Sequence, residues 1–226
     1  MNASQLKPIG SLAKVYGAKS VLFGGPGSGK TPLIATCPNP VALITEPGLL
    51  SIRKISHVPA WEAYEAAKID EFFKWFFESA ESKKFDTLCV DSITQMAEIY
   101  LKKELSVNKD GRRAYGQMSI KVKENIDKMF YLPNKHIMLI AKQGIFEDET
   151  GSKKKPYFPG QELNVYVPHL FDEILHLGLY NVPGVVGETR AIRTKENFNT
   201  VARDRSGNLA EFEFPDMNAI FKKCLL

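Results

Sequence analysis

Four short apolar runs divide the first two-thirds of the chain. They cover residues 18–23, 41–45, 86–91 and 136–141. Runs of this length, apolar at successive positions and bounded by Gly, Pro, Asn or Asp, are typical of strands that are buried on both faces. They predict the central strands of a sheet whose two faces are both covered.

The segments between these runs have the spacing of amphipathic helices. Helices are predicted from Lys30 to the prolines near Cys37, and over residues 61–80, 93–105 and 115–131. In 61–80 the apolar residues follow helical periodicity, so we expect its many aromatic rings to be buried in a core. Alternating strands and helices predict the α/β class, with a mostly parallel sheet flanked by helices.

The last third of the chain has a weaker pattern. Residues 143–161 contain no clear element and are expected to form a long functional loop, because loops of this length are usually functional or disordered. A short helix over 163–171, a strand over 172–179, a late hairpin formed by 185–194 and 199–203, and a terminal helix over 216–223 are also expected. The hairpin predicts a C-terminal antiparallel extension at one edge of the sheet.

Composition sets limits on this picture. The 226 residues, 44% hydrophobic and 25% charged, suit a single domain over 1–226, with residues 1–17 as an N-terminal extension. No apolar run approaches the roughly 20 residues of a membrane helix. The first residues also lack the apolar centre of a signal peptide, so we expect a cytoplasmic location and no membrane partner. The net charge of +4 does not require a nucleic-acid partner.

The first apolar run leads directly into a complete P-loop, G-x-x-x-x-G-K-[ST]. Its residues are Gly24, Gly25, Pro26, Gly27, Ser28, Gly29, Lys30 and Thr31. Glycines let the backbone turn tightly and point N–H groups at phosphate oxygens, and the helix that follows directs its positive end at the same anion. We expect Lys30 to reach the β- and γ-phosphates and Thr31 to ligate magnesium. The motif therefore predicts binding of ATP with Mg²⁺.

A second anchor for the metal follows the third apolar run. Asp91 comes after four mainly apolar strand residues, which is the pattern of a Walker B aspartate that holds magnesium opposite Thr31. The alternative role of an Asp in this position is a helix N-cap. The next residue is Ser92, so the water-activating Glu that many ATPases place there must come from elsewhere.

Two further polar residues end strands of the predicted sheet, where carboxyl ends gather at the nucleotide edge. Glu46 follows the second run and is a candidate to orient or deprotonate the attacking water, the alternative being a solvent-facing carboxylate. Gln143 ends the fourth run and is a candidate catalytic sensor of the γ-phosphate, the alternative being a polar residue that only closes the strand.

This arrangement resembles the RecA/RadA core. The segments Thr45-Glu46-Pro47-Gly48-Leu49-Leu50-Ser51, Thr87-Leu88-Cys89-Val90-Asp91-Ser92-Ile93-Thr94 and Val201-Ala202-Arg203-Asp204-Arg205 look like phage-encoded, core-only RecA-like ATPases. The resemblance covers roughly residues 18–223. It implies a RecA-like P-loop NTPase core, although Pro47 beside the candidate catalytic Glu puts the direction of that carboxylate in question.

The resemblance implies that the loop after Gln143 faces single-stranded DNA. Lysines meet phosphates and aromatic rings stack on bases in such sites. Candidate DNA-binding residues are Phe146, Lys153, Lys154, Lys155, Tyr157 and Phe158, with Arg112 and Arg113 in a second basic loop. For either loop the alternative is a mobile surface segment.

RecA-like ATPases usually complete their site across a subunit interface, where a neighbour's cation stabilises charge on the transferring phosphoryl group. The candidate cations are Lys195, Arg203 and Arg205, and a salt-bridged edge strand is the alternative. The resemblance thus implies a homo-oligomer, either a ring or a filament, with a single-strand-binding protein as a further candidate partner.

The expected function is that of a Mg²⁺-dependent ATPase that acts on single-stranded DNA in phage recombination, annealing or replication, within the host cytoplasm. The rivals are a helicase-type or helicase-loader ATPase, a nucleotide-gated binding protein without turnover, and a small-molecule kinase.

Overall fold

The computed structural model describes residues 7–8, 10–11, 16–48, 50, 53, 55, 57–148 and 151–226. The predicted extension at 1–17 and the segment 49–56 therefore lie largely outside the described residues. No helix within the described residues is long and apolar enough to span a membrane.

The described residues form one sheet of ten strands. The strands are β1 Lys19–Gly24, β2 Pro40–Ile44, β3 Ala60–Glu62, β4 Thr87–Asp91, β5 His136–Asp148, β6 Gly151–Tyr157, β7 Glu173–Asn181, β8 Glu188–Arg193, β9 Arg203–Asp204 and β10 Phe212–Glu213. Five helices accompany them, α1 Ala66–Glu78, α2 Ile93–Val107, α3 Gly111–Phe130, α4 Gln161–Leu170 and α5 Met217–Cys224. Short 3-10 helices occupy Thr31–Thr36 and Glu81–Lys84.

The strand order is β10-β8-β7-β1-β5-β4-β2-β3, with β6 on β5 and β9 on β7. Strands β7, β1, β5, β4, β2 and β3 are parallel, whereas β8 and β10 form an antiparallel extension. The predicted α/β class, mostly parallel sheet and C-terminal antiparallel extension are confirmed. The pairing inside the extension differs from the prediction, because β8 pairs with β7 and β10 while Arg203 pairs with β7 through β9.

Apolar side chains cover both faces of the sheet. In β1, Val21 and Phe23 belong to a core shared with helices α1 to α4, and Leu22 belongs to a second core with the 3-10 helix Thr31–Thr36 and α5. This division follows from the two-residue period of a strand, which sends alternate side chains to opposite faces. The predicted burial of the aromatic helix is also confirmed, since Phe72 has no exposed surface.

Three segments differ from the predicted elements. The stretch 143–161 is not a loop, because β5 continues to Asp148 and pairs antiparallel with β6 from Lys142↔Tyr157 to Asp148↔Gly151. Its Lys- and Gly-rich composition gave no strand signal, yet the ladder satisfies the backbone hydrogen bonds whatever the side chains are. Residues 61–80 divide into β3 and α1, because Trp61 joins a parallel ladder opposite Leu43. The segment after the P-loop is a 3-10 helix of six residues.

Candidate nucleotide site

The carboxyl ends of the central strands meet at one edge of the sheet. Register places Gly24 beside Lys142, and Asp91 beside both Ile44 and Ile140. Residues that follow these strands line a common cavity of about 610 Å³. Its lining includes Gly24, Gly27, Gly29, Lys30, Thr31, Glu46, Asp91 and Gln143. The four predicted features, namely the P-loop, Glu46, Asp91 and Gln143, therefore share one cavity.

The P-loop backbone leaves no room for side chains at its base. A β-carbon built on Gly24 would lie 2.4 Å from the carbonyl oxygen of Leu177, so only glycine fits there. Gly27 and Gly29 have φ angles of +71° and +95°, in the left-handed region that favours glycine. This glycine-rich backbone suits the close approach of a polyphosphate.

The Lys30 ammonium lies inside this loop. It donates hydrogen bonds to the carbonyl oxygens of Gly24 at 2.8 Å and Gly25 at 3.0 Å. Burial lowers the pKa of Lys30, and the nearby carboxylates of Asp91 and Glu46 act in the opposite direction. A partly buried cation flanked by carboxylates is well placed to meet the terminal phosphates of a nucleotide with its metal.

Thr31 and Asp91 form the candidate metal site. The Thr31 hydroxyl donates to Asp91 Oδ2 at 2.6 Å, although the two residues are 60 positions apart. Burial raises the pKa of Asp91, while the Thr31 hydrogen bond and the Lys30 charge lower it. One hydroxyl and one carboxylate, both hard oxygen donors, fit Mg²⁺, which takes few protein ligands and retains waters and phosphate oxygens. The donor set thus agrees with the prediction for magnesium.

Glu46 is held in place by neighbours of Asp91. The Ser92 hydroxyl donates to Glu46 Oε1, and the Lys142 ammonium lies 3.7 Å from the same oxygen. No hydrogen-bond partner of Glu46 Oε2 occurs among the described residues. One carboxylate oxygen is therefore fixed and the other can accept a proton.

The backbone at this point is held by Thr45. Its hydroxyl donates to the carbonyl of Ser92 at 2.8 Å and accepts from the Ser92 amide at 3.0 Å, and its own amide donates to the Asp91 carbonyl at 2.7 Å. The Asp91–Ser92 peptide bond is cis. Thr45 is 1% exposed, so these three hydrogen bonds join the ends of β2 and β4 in a buried setting.

Gln143 connects the nucleotide cavity with two residues of β7. Its Oε1 hydrogen-bonds with His176 Nε2 at 2.9 Å, and His176 Nδ1 hydrogen-bonds with the hydroxyl of Tyr180. Burial, together with the positive charges of Lys154, Lys30 and Arg193, lowers the pKa of His176 to about 4. His176 is thus neutral at pH 7, and it donates to Gln143 through Nε2–H. It is a buried residue with both ring nitrogens hydrogen-bonded.

Some candidate DNA-binding residues are less accessible than the sequence indicated. Phe158 has no exposed surface, so it cannot stack on a base in this conformation. The Lys153 side chain is 19% exposed and pairs with Glu196 at 2.9 Å. The Lys154 backbone is bonded to residues 199 and 201. The corrections have two causes: Phe158 belongs to the core shared with the helices, and Lys153 and Lys154 contact the segment 196–201.

Other residues of the hairpin face solvent. Tyr157 is 36% exposed, and Ile145 is 69% exposed, although the sequence gave no reason to single it out. Phe146 is half-buried, with the Lys155 ammonium 5.9 Å from its ring centre. Phe198, on the adjacent segment, is 80% exposed.

Arg112 and Arg113 begin α3 instead of forming a loop, with Asp110 as the N-cap. Both are exposed, and Tyr115, one turn later, packs on Gly160 at the end of the β6–α4 connection. Their proposed contact with DNA stays a prediction.

The candidate trans cations differ in their surroundings. Arg203 donates to the carbonyl oxygens of Pro168 and Phe171, and Arg205 pairs with Asp172 at 3.0 Å. Both guanidinium groups therefore stabilise the end of α4, at the amino end of β7 and opposite the nucleotide edge. Lys195 is exposed and has no ion pair among the described residues.

The sequence reading missed three residues around the site. Ser92 begins the pattern Ser-x-x-Gln of a capping box, and its hydroxyl indeed accepts from the Gln95 amide at 3.1 Å. That signal could have identified Ser92 as a polar group fixed beside Asp91. Lys142 and Arg190 carried no comparable signal, because their proximity to the site depends on strand pairing.

Comparisons with known proteins agree with this geometry. The family model described as "AAA domain" (AAA_24) matches residues 16–206. No curated protein matches the chain in a sequence comparison.

Among solved structures, an ATPase from the type III secretion system of pathogenic bacteria aligns with a TM-score of 0.50 and 15% identity, over 75% of this chain and 56% of its own. The KaiC-like protein PH0186 of Pyrococcus horikoshii OT3 has a TM-score of 0.46 at 13% identity over 79% of this chain and 78% of its own. The flagellar accessory protein FlaH of Methanocaldococcus jannaschii has a TM-score of 0.40 at 12% identity, with the same coverage of 79% and 78%.

The secretion ATPase shares the fold, which is a RecA-like P-loop arrangement. The family match covers most of the chain and includes every residue of the nucleotide cavity. The chain therefore belongs to the AAA domain family AAA_24 and is a P-loop NTPase.

Proposed function

We propose that this protein is a Mg²⁺-dependent ATPase that acts on single-stranded DNA in phage recombination, annealing or replication, as a ring or filament. The observation that supports hydrolysis is the position of Glu46, whose carboxylate lines the same cavity as Lys30 and the Thr31–Asp91 pair. Binding alone needs a phosphate cradle, whereas hydrolysis also needs a base near the terminal phosphate.

Each of the residues that line the nucleotide cavity has its own role in the proposed hydrolysis. Lys30 binds the terminal phosphates, and Thr31 and Asp91 would hold Mg²⁺, which when bound neutralises charge on the β- and γ-phosphate oxygens. Glu46 orients the attacking water and accepts its proton at Oε2, because Ser92 and Lys142 already engage Oε1. Gln143, which lines the same cavity, would sense the terminal phosphate.

The proposal of single-stranded DNA rests on the β5–β6 hairpin. Lys142 and Gln143 lie at its base, at the nucleotide cavity. The exposed Tyr157 pairs with Lys142 there, and the exposed Ile145 follows two residues after Gln143. Lysines on the same hairpin supply positive charge beside exposed apolar and aromatic groups, which is the composition of sites that bind nucleic acid by stacking and phosphate contact. A base stacked on Tyr157 would therefore lie opposite a residue that lines the ATP site.

The test is phosphate release with and without a single-stranded oligonucleotide, in Mg²⁺ and in excess chelator. We expect turnover to need Mg²⁺, to rise with oligonucleotide and to fall at least a hundredfold in Glu46→Gln, with ATP binding retained. Glu162→Gln, which removes an exposed carboxylate paired with Lys123, is the matched control and should match the wild type.

Each rival gives its own result. Directional strand separation would favour a helicase-type ATPase, and ATP binding without turnover in the wild type would favour a nucleotide-gated binding protein. An oligonucleotide that changes neither turnover nor oligomeric state would exclude the DNA proposal. Tyr157→Ala should weaken oligonucleotide binding by about tenfold, since base stacking contributes roughly 1–3 kcal/mol. Tyr131→Ala, at an exposed tyrosine outside the hairpin, is the control.

A further inference from the structure

The β7–β8 hairpin packs directly on the P-loop. Gly24 touches the backbone of β7, where a β-carbon would lie 2.4 Å from Leu177 O. Leu177 is buried, and it pairs with Ile192 in β8. This hairpin is therefore fixed against the loop by buried groups, and a side chain at its outer end has a defined position relative to the nucleotide cavity.

Arg190 of β8 lies over Gly29 of the P-loop. A β-carbon built on Gly29 would lie 3.2 Å from Arg190 Nη1 and 3.3 Å from its Cζ. The guanidinium therefore occupies the space that the glycine leaves free. The strand period explains this direction: Arg190 shares a face with Ile192, which is buried in one core with Leu33 of the 3-10 helix after the P-loop.

Arg190 has no hydrogen bond or ion pair among the described residues, and it is exposed. Arg193, on the opposite face of the same strand, pairs with Glu211 at 2.8 Å, donates to the Lys195 carbonyl and lies 5.0 Å from the Phe212 ring. Arg193 thus has a structural role. Arg190 instead presents its donors beside a phosphate cradle, and no carboxylate in the described part of the chain pairs with this guanidinium.

We propose that Arg190 binds the nucleotide from the β8 side of the P-loop, through the phosphate oxygens next to the ribose. The sheet order places two groups of site residues on opposite sides of β1. Glu46 and Asp91 follow β2 and β4 on one side, and β7 and β8, with Arg190, lie on the other. Glu46 marks the end where the terminal phosphate reacts. Arg190 is therefore placed for the α- and β-phosphates, which a planar guanidinium binds with two parallel hydrogen bonds.

This inference rests on the proposed binding of ATP, and it predicts a specific kinetic signature. A contact with the α- and β-phosphates is the same before and during hydrolysis. Its loss should therefore raise KM and leave kcat nearly unchanged. ADP and ATP should be weakened by the same factor.

The experiment measures the Kd of ADP and inorganic pyrophosphate for the wild type, Arg190→Ala, Arg190→Lys, Lys30→Ala and Lys222→Ala. Lys222→Ala is the matched control, because it removes an exposed cation of α5. We expect Arg190→Ala to raise both Kd values roughly tenfold, as for the loss of one charge-assisted contact. Arg190→Lys should recover part of the loss, and Lys222→Ala should match the wild type. Thermal unfolding verifies that the variants are folded.

The outcomes separate the two proposals. If Arg190→Ala binds ADP like Lys222→Ala while Lys30→Ala loses binding, the role of Arg190 is refuted and the nucleotide site stands. If ADP binding weakens and pyrophosphate binding does not, the phosphate contact is refuted. If the wild type does not bind ADP, or if Lys30→Ala binds it unchanged, the proposed function itself fails.

Discussion

The hydroxyl of Ser92 donates a hydrogen bond to the carboxylate of Glu46, across 46 positions of sequence. The same hydroxyl accepts from the Gln95 amide and caps helix α2. One side chain thus connects the candidate base after β2 with the helix that follows the Walker B strand. The direction of Glu46, which Pro47 put in question, is set by this bond.

Ser92→Ala should reduce ATP turnover while nucleotide binding is retained. Without the hydroxyl, Glu46 Oε1 keeps only the more distant Lys142, so the carboxylate is less ordered and kcat should fall roughly tenfold. Loss of the N-cap should also reduce the free energy of unfolding by about 1 kcal/mol. Asp216→Ala removes the N-cap of α5 and should reduce stability alone. Steady-state kinetics and urea unfolding give both quantities, and an unchanged kcat in Ser92→Ala would contradict the positioning role.

Lys142→Met should remove the connection between the β5–β6 hairpin and Glu46, the candidate catalytic base. The Lys142 ammonium lies 2.8 Å from both Gln95 Oε1 and Glu98 Oε2, and 3.7 Å from Glu46 Oε1. Since Lys142 is the first residue of β5 that pairs with β6, any displacement of the hairpin reaches Glu46 through it. We expect the stimulation of turnover by oligonucleotide to disappear, with basal turnover within about threefold of the wild type.

The measurement for Lys142 is the ratio of phosphate release with and without oligonucleotide. Lys123→Met removes a comparable ion pair, with Glu162 at 2.8 Å, and should leave that ratio unchanged. A collapse of basal turnover in Lys142→Met would instead show that Lys142 is needed to place Glu46 itself.

Gly24→Ala should destabilise the protein more than the neighbouring Gly25→Ala. The new methyl group at residue 24 would lie 2.4 Å from the Leu177 carbonyl oxygen, and neither backbone segment can move without disturbing the sheet. Overpacking of this kind costs about 1–3 kcal/mol or more. A β-carbon at Gly25 meets no atom within 4 Å. Thermal unfolding of both variants tests the difference, and equal midpoints would argue against the contact between the loop and β7.

Stability should fall as the pH is lowered from 6.5 towards 4, because the half-buried His136 and the buried His176 are held neutral. The pKa of His136 and that of His176 are each lowered to about 4, mainly by burial. His136 Nδ1 accepts a hydrogen bond from the Ala18 amide, which requires the neutral ring. A folded-state pKa below the unfolded value gives stability that is present above pH 6.5 and lost on acidification. At pH 5 each histidine should account for a loss of about 1–2 kcal/mol.

The variant that tests this pH dependence is His136→Asn, whose amide oxygen takes the place of Nδ1 as acceptor. It should lose less stability than the wild type between pH 7 and pH 5 in urea unfolding. Carboxylates contribute equally to both proteins, so the difference isolates His136. An identical loss in the two proteins would count against a neutral His136 in the folded state.

Local pattern was sufficient for much of the fold. The apolar runs ending at Phe23, Thr45, Asp91 and Ala141 correspond to the central strands, because a strand buried on both faces must be apolar at successive positions. Pattern was insufficient for the hairpin formed by 142–148 and 151–157, because these residues have no apolar period. It was also insufficient for β3, where three residues are too few to display one.

The sequence alone determined the P-loop, the Walker B aspartate and the presence of Glu46 and Gln143 after neighbouring strands, because these depend on residue type and local spacing. Only the tertiary structure decided that Ser92 holds Glu46, that Gln143 joins His176, and that Arg190 lies on Gly29. These contacts depend on strand order and register. Both are set by long-range pairing and packing of the whole sheet, which no short window of sequence contains.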